Sequence, residues 1–130
     1  MKAEKKEVIE EWYKKADEDL LAAKIVIAAS PLLYDVAAFH SQQGAEKYLK
    51  AYFVYFEIIP PKIHDIKLLM DFLSGFDLSI NEIRFAEHLS GFAIRSRYPD
   101  DFEIESENEA MEILKTAEAV KDFVQNKIGF

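Results

Sequence analysis

The stretch DVAAFHSQQGAEKYLKAYFVYFEI, residues 35–58, decides the fold class because it has the pattern of one long helix with more than one apolar side. Asp35 is suited to cap its N-terminus, and the Ile-Pro-Pro sequence that follows residue 58 ends it. One stripe of side chains recurs at helical spacing and is predicted to face the core: Ala38, Ala45, Leu49, Tyr52 and Phe56. The stretch therefore predicts a long helix packed on more than one side.

A second stripe of the same helix is polar and partly basic. Its members, at steps of three, four and three residues, are His40, Gln43, Lys47 and Lys50. Gly44 lies inside this helix, where glycine costs roughly 1 kcal/mol relative to alanine. Its presence indicates close approach by another backbone, as at a tight helix crossing, or by a ligand. The sequence leaves both open.

An amphipathic helix is predicted before this stretch, from about Lys5 to Ala29, and Ser30 with Pro31 ends it. The apolar side chains of its buried face recur at steps of three and four: Ile9, Trp12, Ala16, Leu20, Ala23 and Ile27. After the proline pair, His64 or Asp65 is suited to cap a short helix that Gly75 stops. Its buried side consists of Ile66, Leu69, Met70 and Leu73.

Two more helices are predicted in the second half of the chain. One starts near Ser79 as cap, with Glu82 completing a capping-box pattern, and continues to about Ile94. The last starts at Ser106, with Glu109 three residues later, and keeps the helical period almost to the end of the chain. No stretch alternates convincingly at period two, and no internal repeat is present. The prediction is an all-α, up-and-down bundle of four to five helices that forms a single domain over residues 1–130.

Composition narrows the classes of function. The formal net charge is -8 and the sequence pI is about 4.9, which argues against a protein that coats nucleic acid through bulk charge. The absence of cysteine excludes disulfides and thiolate sites. The charged N-terminal stretch lacks the apolar segment of a signal peptide, and no apolar run is long enough to span a bilayer. We expect a soluble, cytoplasmic protein.

All three arginines of the chain fall in residues 81–101: Arg84, Arg95 and Arg97. The guanidinium group is a planar fork of donors suited to phosphate or carboxylate, so this segment predicts an anion-facing or charge-paired locus. Seven acids and no base follow in residues 100–112. The arginines could therefore pair with these acids within the chain, or converge with the polar stripe of residues 40–50 on the phosphates of a nucleotide or RNA.

No sequence motif predicts a metal site or a cofactor. The three histidines are far apart and none lies in a metal-binding helix pattern. A nucleophile elbow and the glycine-rich phosphate loops are also missing. We expect neither metal nor cofactor.

The stretch AAFHSQQGAEKYLKAY, the later HDIKLL and the final AIRSRYPDD resemble the HEPN domain, over nearly the whole chain. The resemblance implies a bundle of four or five helices similar to the C-terminal domain of aminoglycoside nucleotidyltransferases. Stand-alone prokaryotic members are commonly encoded beside a small nucleotidyltransferase, in pairs that look like toxin and antitoxin. In members that are ribonucleases, two chains join arginine and histidine motifs across a dimer cleft without metal.

This sequence departs from the ribonuclease pattern, since no histidine follows Arg95 or Arg97. Arg84 and His88, with three residues between them, are the candidate catalytic residues, and they would share one face of an α-helix. Tyr98 is a candidate for modification, because some family toxins are silenced when the partner adds nucleotides to a tyrosine near the motif.

We therefore expect a dimeric, cytoplasmic HEPN protein that is not catalytic by itself. It would bind a nucleotide or RNA, or partner a nucleotidyltransferase, through Arg95, Arg97, Lys47, Lys50, Gln43 and His40. One alternative is a divergent, metal-independent RNA endonuclease that acts as a dimer. The other is an interaction domain whose arginines hold the acidic segment by internal ion pairs.

Overall fold

The computed structural model describes residues 1–29, 33–91, 104 and 106–130. Within these residues the chain forms four α-helices and one 3-10 helix, and it has no strand. The helices are α1 (Ala3–Ala29), α2 (Tyr34–Tyr55), α3 (Ile66–Ser74), the 3-10 helix (Leu78–Leu89) and α4 (Glu107–Ile128). Helix α2 contacts all the others. The predicted all-α bundle is confirmed.

Helices α1 and α2 cross closely at Gly44. A Cβ atom on Gly44 would lie 2.6 Å from Leu20 Cδ2 and 3.3 Å from the Ala16 carbonyl oxygen. Leu20 is itself buried in the core. Of the two explanations that the sequence left open, the structure shows the helix crossing.

The buried face of α1 differs from the prediction at one position. Tyr13, and not Trp12, is fully packed, while Trp12 lies against the edge of the core. The buried residues of α1 recur at alternating steps of four and three, which is the narrow stripe that packs against one neighbouring helix: Ile9, Tyr13, Ala16, Leu20, Ala23 and Ile27. The predicted core face is otherwise confirmed.

Helix α2 ends at Tyr55, three residues before its predicted end. Glu57 has a left-handed backbone conformation with φ of 62°, and the Ile58 N–H donates back to the Phe53 carbonyl oxygen at 3.0 Å. This pattern closes a helix C-terminus. The helix therefore ends, and the chain turns, before the proline pair.

The segment after α3 differs most from the prediction. Asp65 caps α3 by accepting from the Leu68 N–H at 3.2 Å, and Gly75 is its C-cap, as predicted. The next element is a 3-10 helix with a kink at Ile83, and Asp77 caps it in place of Ser79. The Asp77 carboxylate accepts from both the backbone N–H and the hydroxyl of Ser79.

Helix α4 completes the core. Its N-cap is Ser106, which accepts from the Glu109 N–H at 3.1 Å, and Gly129 ends it with φ of 101°. Both the start and the helical period of this element were predicted. Its apolar stripe packs on α1 and α2, so the core lies mainly between these three helices.

Candidate functional site

One side of α2 carries polar side chains that are almost completely buried. Gln42, Glu46 and Lys50 are spaced four residues apart, and their exposed fractions are 0%, 2% and 7%. Gln42 Nε2 donates to Glu46 Oε1 at 3.4 Å, and Lys50 Nζ lies 3.5 Å from Glu46 Oε2. A buried charge is tolerated when it is paired and hydrogen-bonded, and this arrangement meets both requirements for Glu46.

The same carboxylate holds His64, which lies in the connection between α2 and α3. His64 Nδ1 is 3.0 Å from Glu46 Oε1 and 3.2 Å from Oε2. A carboxylate only accepts hydrogen bonds, so Nδ1 carries the proton in this contact. The imidazole is otherwise open, with 66% of its side chain exposed. Glu46 therefore fixes the tautomer of His64 and leaves the Nε2 atom for another partner.

The predicted polar stripe is bound to acids and amides of its own chain. His40 Nδ1 lies 2.9 Å from Asp19 Oδ1 on α1, and Lys47 contacts the other oxygen of the same carboxylate. Gln43 donates to Gln42 Oε1 at 2.7 Å, and Lys50 faces Glu46. His40 and Lys47 thus share the Asp19 carboxylate, whereas Lys50 is buried against Glu46, and the contacts of all four predicted residues are within the chain.

A second carboxylate on α1 ties three helices together. Asp17 accepts from the Tyr48 hydroxyl of α2 and from Lys121 Nζ of α4, the latter at 3.0 Å. Burial, followed by the hydrogen bond to Asp17, raises the pKa of Tyr48. Burial, together with the nearby charge of Asp17, raises the pKa of Tyr13 to about 12. Both phenols therefore stay neutral at ordinary pH and act as packed hydrogen-bonding groups.

Arg84 and His88 lie on the 3-10 helix. Arg84 Nη1 lies 2.7 Å from Asp71 Oδ1 and 2.9 Å from Glu87 Oε1, and this contact lowers the pKa of Asp71. His88 Nδ1 contacts the Phe85 carbonyl oxygen at 2.7 Å. A 3-10 helix has three residues per turn, which aligns positions three apart. Arg84 is accordingly aligned with Glu87. The predicted common face of Arg84 and His88, four positions apart, would require an α-helix.

Arg95, Arg97 and Tyr98 lie outside the described residues, and the structure instead describes both flanks of their segment. On one side, Ser90 Oγ accepts from the Ile66 N–H at 2.8 Å and donates to Asp65 Oδ1 at 3.2 Å. These contacts join Ser90 to the residues that directly follow His64.

On the other side, the Ile104 N–H donates to Asp35 Oδ1 at 2.8 Å, at the start of α2. Asp35, Gln42 and Glu46 are separated by seven and four residues, so they lie on one side of the helix. One flank of residues 92–103 is therefore held on the side of α2 that carries Glu46, and the other is held beside His64, which contacts Glu46.

Sequence reasoning missed the pair of Glu46 and His64. The available signals were the four-residue spacing of Gln42, Glu46 and Lys50, and the position of His64 directly after the breaker. The pairing itself depends on the path of the connection between α2 and α3, which sequence periodicity does not report.

The described part of the chain has neither a metal-binding cluster nor a membrane-spanning helix. There, no group of three or more histidine, aspartate or glutamate side chains is arranged to hold a metal ion. The described helices also include none that combines the length and the apolar character needed to cross a membrane.

Comparison with known proteins identifies the family. A search of curated proteins and a search of solved structures returned no significant match. The family model of the HEPN domain, in contrast, matches residues 9–127, which is nearly the entire chain. It spans α2, the flanks of the arginine segment and most of α4. The chain therefore belongs to the HEPN family.

Proposed function

We propose that this protein binds the phosphates of a nucleotide or RNA at the side of α2 where Glu46 contacts His64, with Arg95 and Arg97 as the main phosphate ligands. Membership of the HEPN family supports a nucleotide-binding or RNase-type module in general. The finer elements of the proposal are the assignment of the arginines, a homodimer, and a small nucleotidyltransferase as partner in a two-component system of the toxin-antitoxin kind.

One observation carries the assignment of the arginines to this side of α2. Ser90, before residues 92–103, is held by Asp65, and Ile104, after them, is held by Asp35 on the side of α2 that carries Glu46. Exposed His64 contacts Glu46 of α2 and directly precedes Asp65, the anchor of the first flank. This supports a common site that no single stretch of sequence defines.

The arginines suit the role better than the lysines of α2. Lys47 and Lys50 already contact Asp19 and Glu46, so a phosphate would have to compete with these carboxylates for them. The guanidinium group also binds phosphate oxygens in pairs and is always charged. Lys47, Lys50, Gln43 and His40 would then contribute mainly to the surrounding potential and shape.

Titration of purified protein with ATP and with single-stranded RNA tests the proposal. Because a hydrogen bond to a charged group contributes about 1.5–3 kcal/mol, Arg97→Ala should weaken binding by roughly tenfold or more. Lys115→Ala removes an exposed cation of α4 and serves as the matched control, which should bind almost as well as the wild type. Binding that is absent, or that is equal in the two variants, would contradict the proposal.

The proposed homodimer and the proposed nucleotidyltransferase partner are tested by separate measurements. Light scattering after size-exclusion chromatography should give twice the chain mass of 15.0 kDa. The product of a neighbouring nucleotidyltransferase gene, where one exists, should bind the dimer and should modify Tyr98 in the presence of ATP. If the protein is a monomer and does not bind the transferase, the homodimer and the partner are both ruled out. The phosphate site is then still tested by titration.

The structural alternative predicts a different pattern. If the arginines only hold the acidic segment, Arg97→Ala should lower the thermal unfolding temperature and should leave every binding curve unchanged. Arg84 already behaves in this way in the structure, since it contacts two carboxylates of its own chain.

A further inference from the structure

We infer that the cleft along α1 at Tyr13 and Asp17 binds a linear organic polyamine, whose ammonium groups contact carboxylates of this helix. The cleft has a volume of about 490 Å³, which is in the range of small-molecule sites. Its described lining comes from α1: Glu10, Tyr13, Lys14, Asp17, Glu18 and Leu21. In the described part of the chain it shares no residue with the proposed phosphate site, so the inference goes beyond the proposed function.

The hydroxyl group of Tyr13 is the observation that points to a ligand. Tyr13 is 7% exposed, and within the described residues its hydroxyl is buried without a hydrogen-bond partner. Burial, and then the nearby charge of Asp17, raise the pKa of Tyr13 to about 12, so the hydroxyl is neutral and lies close to this carboxylate. A neutral phenol oxygen accepts a hydrogen bond from an ammonium group. The cleft therefore has an unused acceptor beside a negative charge.

The Asp17 carboxylate has room for a further donor. The Tyr48 hydroxyl and Lys121 Nζ both donate to its Oδ1 atom, the lysine at 3.0 Å, and 47% of the Asp17 side chain is exposed. The two oxygens of a carboxylate together accept about four hydrogen bonds. Oδ2 is therefore available to an ammonium group that enters from the cleft.

The aromatic rings around this carboxylate also favour organic cations. The ring centroid of Tyr13 lies 5.2 Å from that of Tyr48 and 5.8 Å from that of Phe130. Lys121 Nζ lies 5.8 Å from the Tyr48 centroid, and Lys6 Nζ lies 5.1 Å from the Phe130 centroid. An ammonium group over an aromatic face is attracted by the ring quadrupole. The lysines of the chain thus show which class of cation this aromatic cluster binds.

The spacing of the carboxylates suits a cation with more than one charge. Glu10 and Asp17 are seven residues apart, which corresponds to about 10 Å along a helix. Lys14 is the single cation of the described lining, against three carboxylates. A linear polyamine such as spermidine carries an ammonium group at each end and is of comparable length when extended. One end would contact Asp17 and the Tyr13 hydroxyl, and the other end would reach Glu10.

The lining fits a small cation better than a peptide. Leu21, 57% exposed, is the one large apolar side chain that the described lining exposes. Protein interfaces are instead centred on several apolar and aromatic anchors. Lys6 approaches Glu10 only to 4.0 Å on the exposed surface, so a soluble ligand can compete for this carboxylate.

Calorimetric titration of the full chain with spermidine tests the inference. The buffer should contain about 0.15 M NaCl, at which exposed charges more than about 8 Å apart are largely screened. Spermidine should bind, and Mg²⁺ at equal concentration should bind much more weakly, although the net charge of -8 attracts both cations. Affinity for Mg²⁺ equal to that for spermidine, or no binding of spermidine, would overturn the inference.

Tyr13→Phe removes only the unpaired hydroxyl. It should weaken spermidine binding by roughly tenfold, the size expected for a hydrogen bond to a charged group. Lys14→Gln removes a like charge from the lining and should bind spermidine more tightly. Affinity of Tyr13→Phe equal to that of the wild type would overturn the assignment of the hydroxyl as a ligand group.

A pair of exposed acids gives a test that does not depend on the core. Glu10→Gln should weaken spermidine binding several-fold. Glu11→Gln is the matched control, because it removes the same charge from the next residue, about 100° around the helix, and Glu11 does not line the cleft. It should bind spermidine as the wild type does. Equal losses in the two variants would show attraction to net charge alone and would overturn the site.

Discussion

At the scale of single residues, Gly44 sets the distance between α1 and α2. A Cβ atom there would lie 2.9 Å from Leu20 Cγ and closer still to its Cδ2, and Leu20 is buried and cannot move freely. Alanine would gain roughly 1 kcal/mol of helix propensity, but overpacking costs about 1–3 kcal/mol. We expect Gly44→Ala to lower the free energy of unfolding by about 1 kcal/mol, as measured by urea denaturation.

Two further variants isolate the cause of this loss. Gly75→Ala is the control, because its Cβ would meet only the Phe72 carbonyl oxygen, at 3.3 Å, and its backbone is in the ordinary right-handed region; its stability should change little. In a Leu20→Ala background the clash is absent, so Gly44→Ala should cost less there. An equal cost in both backgrounds would show that contact with Leu20 is not the reason.

The hydroxyl groups of Tyr13 and Tyr48 differ in their hydrogen bonding. Among the described residues the Tyr13 hydroxyl is buried without a hydrogen-bond partner, whereas that of Tyr48 donates to Asp17. An unsatisfied buried polar group costs about 1–3 kcal/mol. Tyr13→Phe should therefore keep or raise the unfolding temperature, and Tyr48→Phe should lower it by the equivalent of about 1 kcal/mol. Equal destabilisation by the two changes would show that the Tyr13 hydroxyl has an unrecognised favourable contact.

At the scale of secondary structure, the sequence predicted the elements whose signals are local. The cap Ser106 and the stop at Gly75 were correct, and Asp65 is one of the two caps that the sequence offered for α3. The predicted cap Asp35 was wrong, because α2 begins after Leu33 and Asp35 accepts from the Ile104 N–H. The 3-10 helix was predicted as an α-helix that starts at Ser79. Capping-box spacing favoured Ser79, which has Glu82 three residues later, over Asp77, which has Ile80 there. Asp77 also accepts a hydrogen bond from Tyr52, a partner distant in sequence that local spacing does not report.

The contact between Asp77 and Tyr52 can be tested by measuring stability as a function of pH. Burial alone would raise the pKa of Asp77, but hydrogen bonds from Ser79 and then from Tyr52 lower it below its ordinary value. Because the pKa of Asp77 is lower in the folded state, the stabilisation by these hydrogen bonds is complete above about pH 4, which is the pKa of an aspartate in the unfolded chain. The stabilisation is lost as pH falls through the folded-state pKa.

We therefore expect Asp77→Ala to cost about 1–2 kcal/mol at pH 7, from the lost cap and the lost partner of Tyr52. Its deficit relative to the wild type should shrink as pH falls from about 4 towards 2, as measured by thermal unfolding at each pH. Glu82→Ala changes an exposed acid of the same 3-10 helix and is the matched control. A deficit for Asp77→Ala that is constant with pH would contradict the assigned hydrogen bonds.

At the scale of the whole molecule, the fold was predictable because helical periodicity and breakers report it directly. The candidate site was not, because it combines α2, the connection that carries His64, and the two flanks of the arginine segment. The sequence grouped His40, Lys47 and Lys50 as one polar stripe, whereas in the structure His40 and Lys47 pair with Asp19 across the contact of α1 and α2, and Lys50 pairs with Glu46 of its own helix. Such cross-helix partners cannot be deduced from the spacing of one helix.

Substitution of Asp35, which holds one flank of the arginine segment, should have two opposite effects on phosphate binding, one from geometry and one from electrostatics. Removing a negative charge should by itself strengthen phosphate binding, since the attraction for an anion increases. Asp35→Ala, however, also removes the acceptor of the Ile104 N–H and so releases the chain that leads to Arg97. If the arginines bind phosphate from an anchored segment, Asp35→Ala should weaken ATP or RNA binding several-fold. Asp35→Asn loses the same charge but keeps an oxygen acceptor, so it should bind at least as tightly as the wild type. Titration of both variants measures the difference, and tighter binding by both would show that anchoring at Asp35 does not matter to the site.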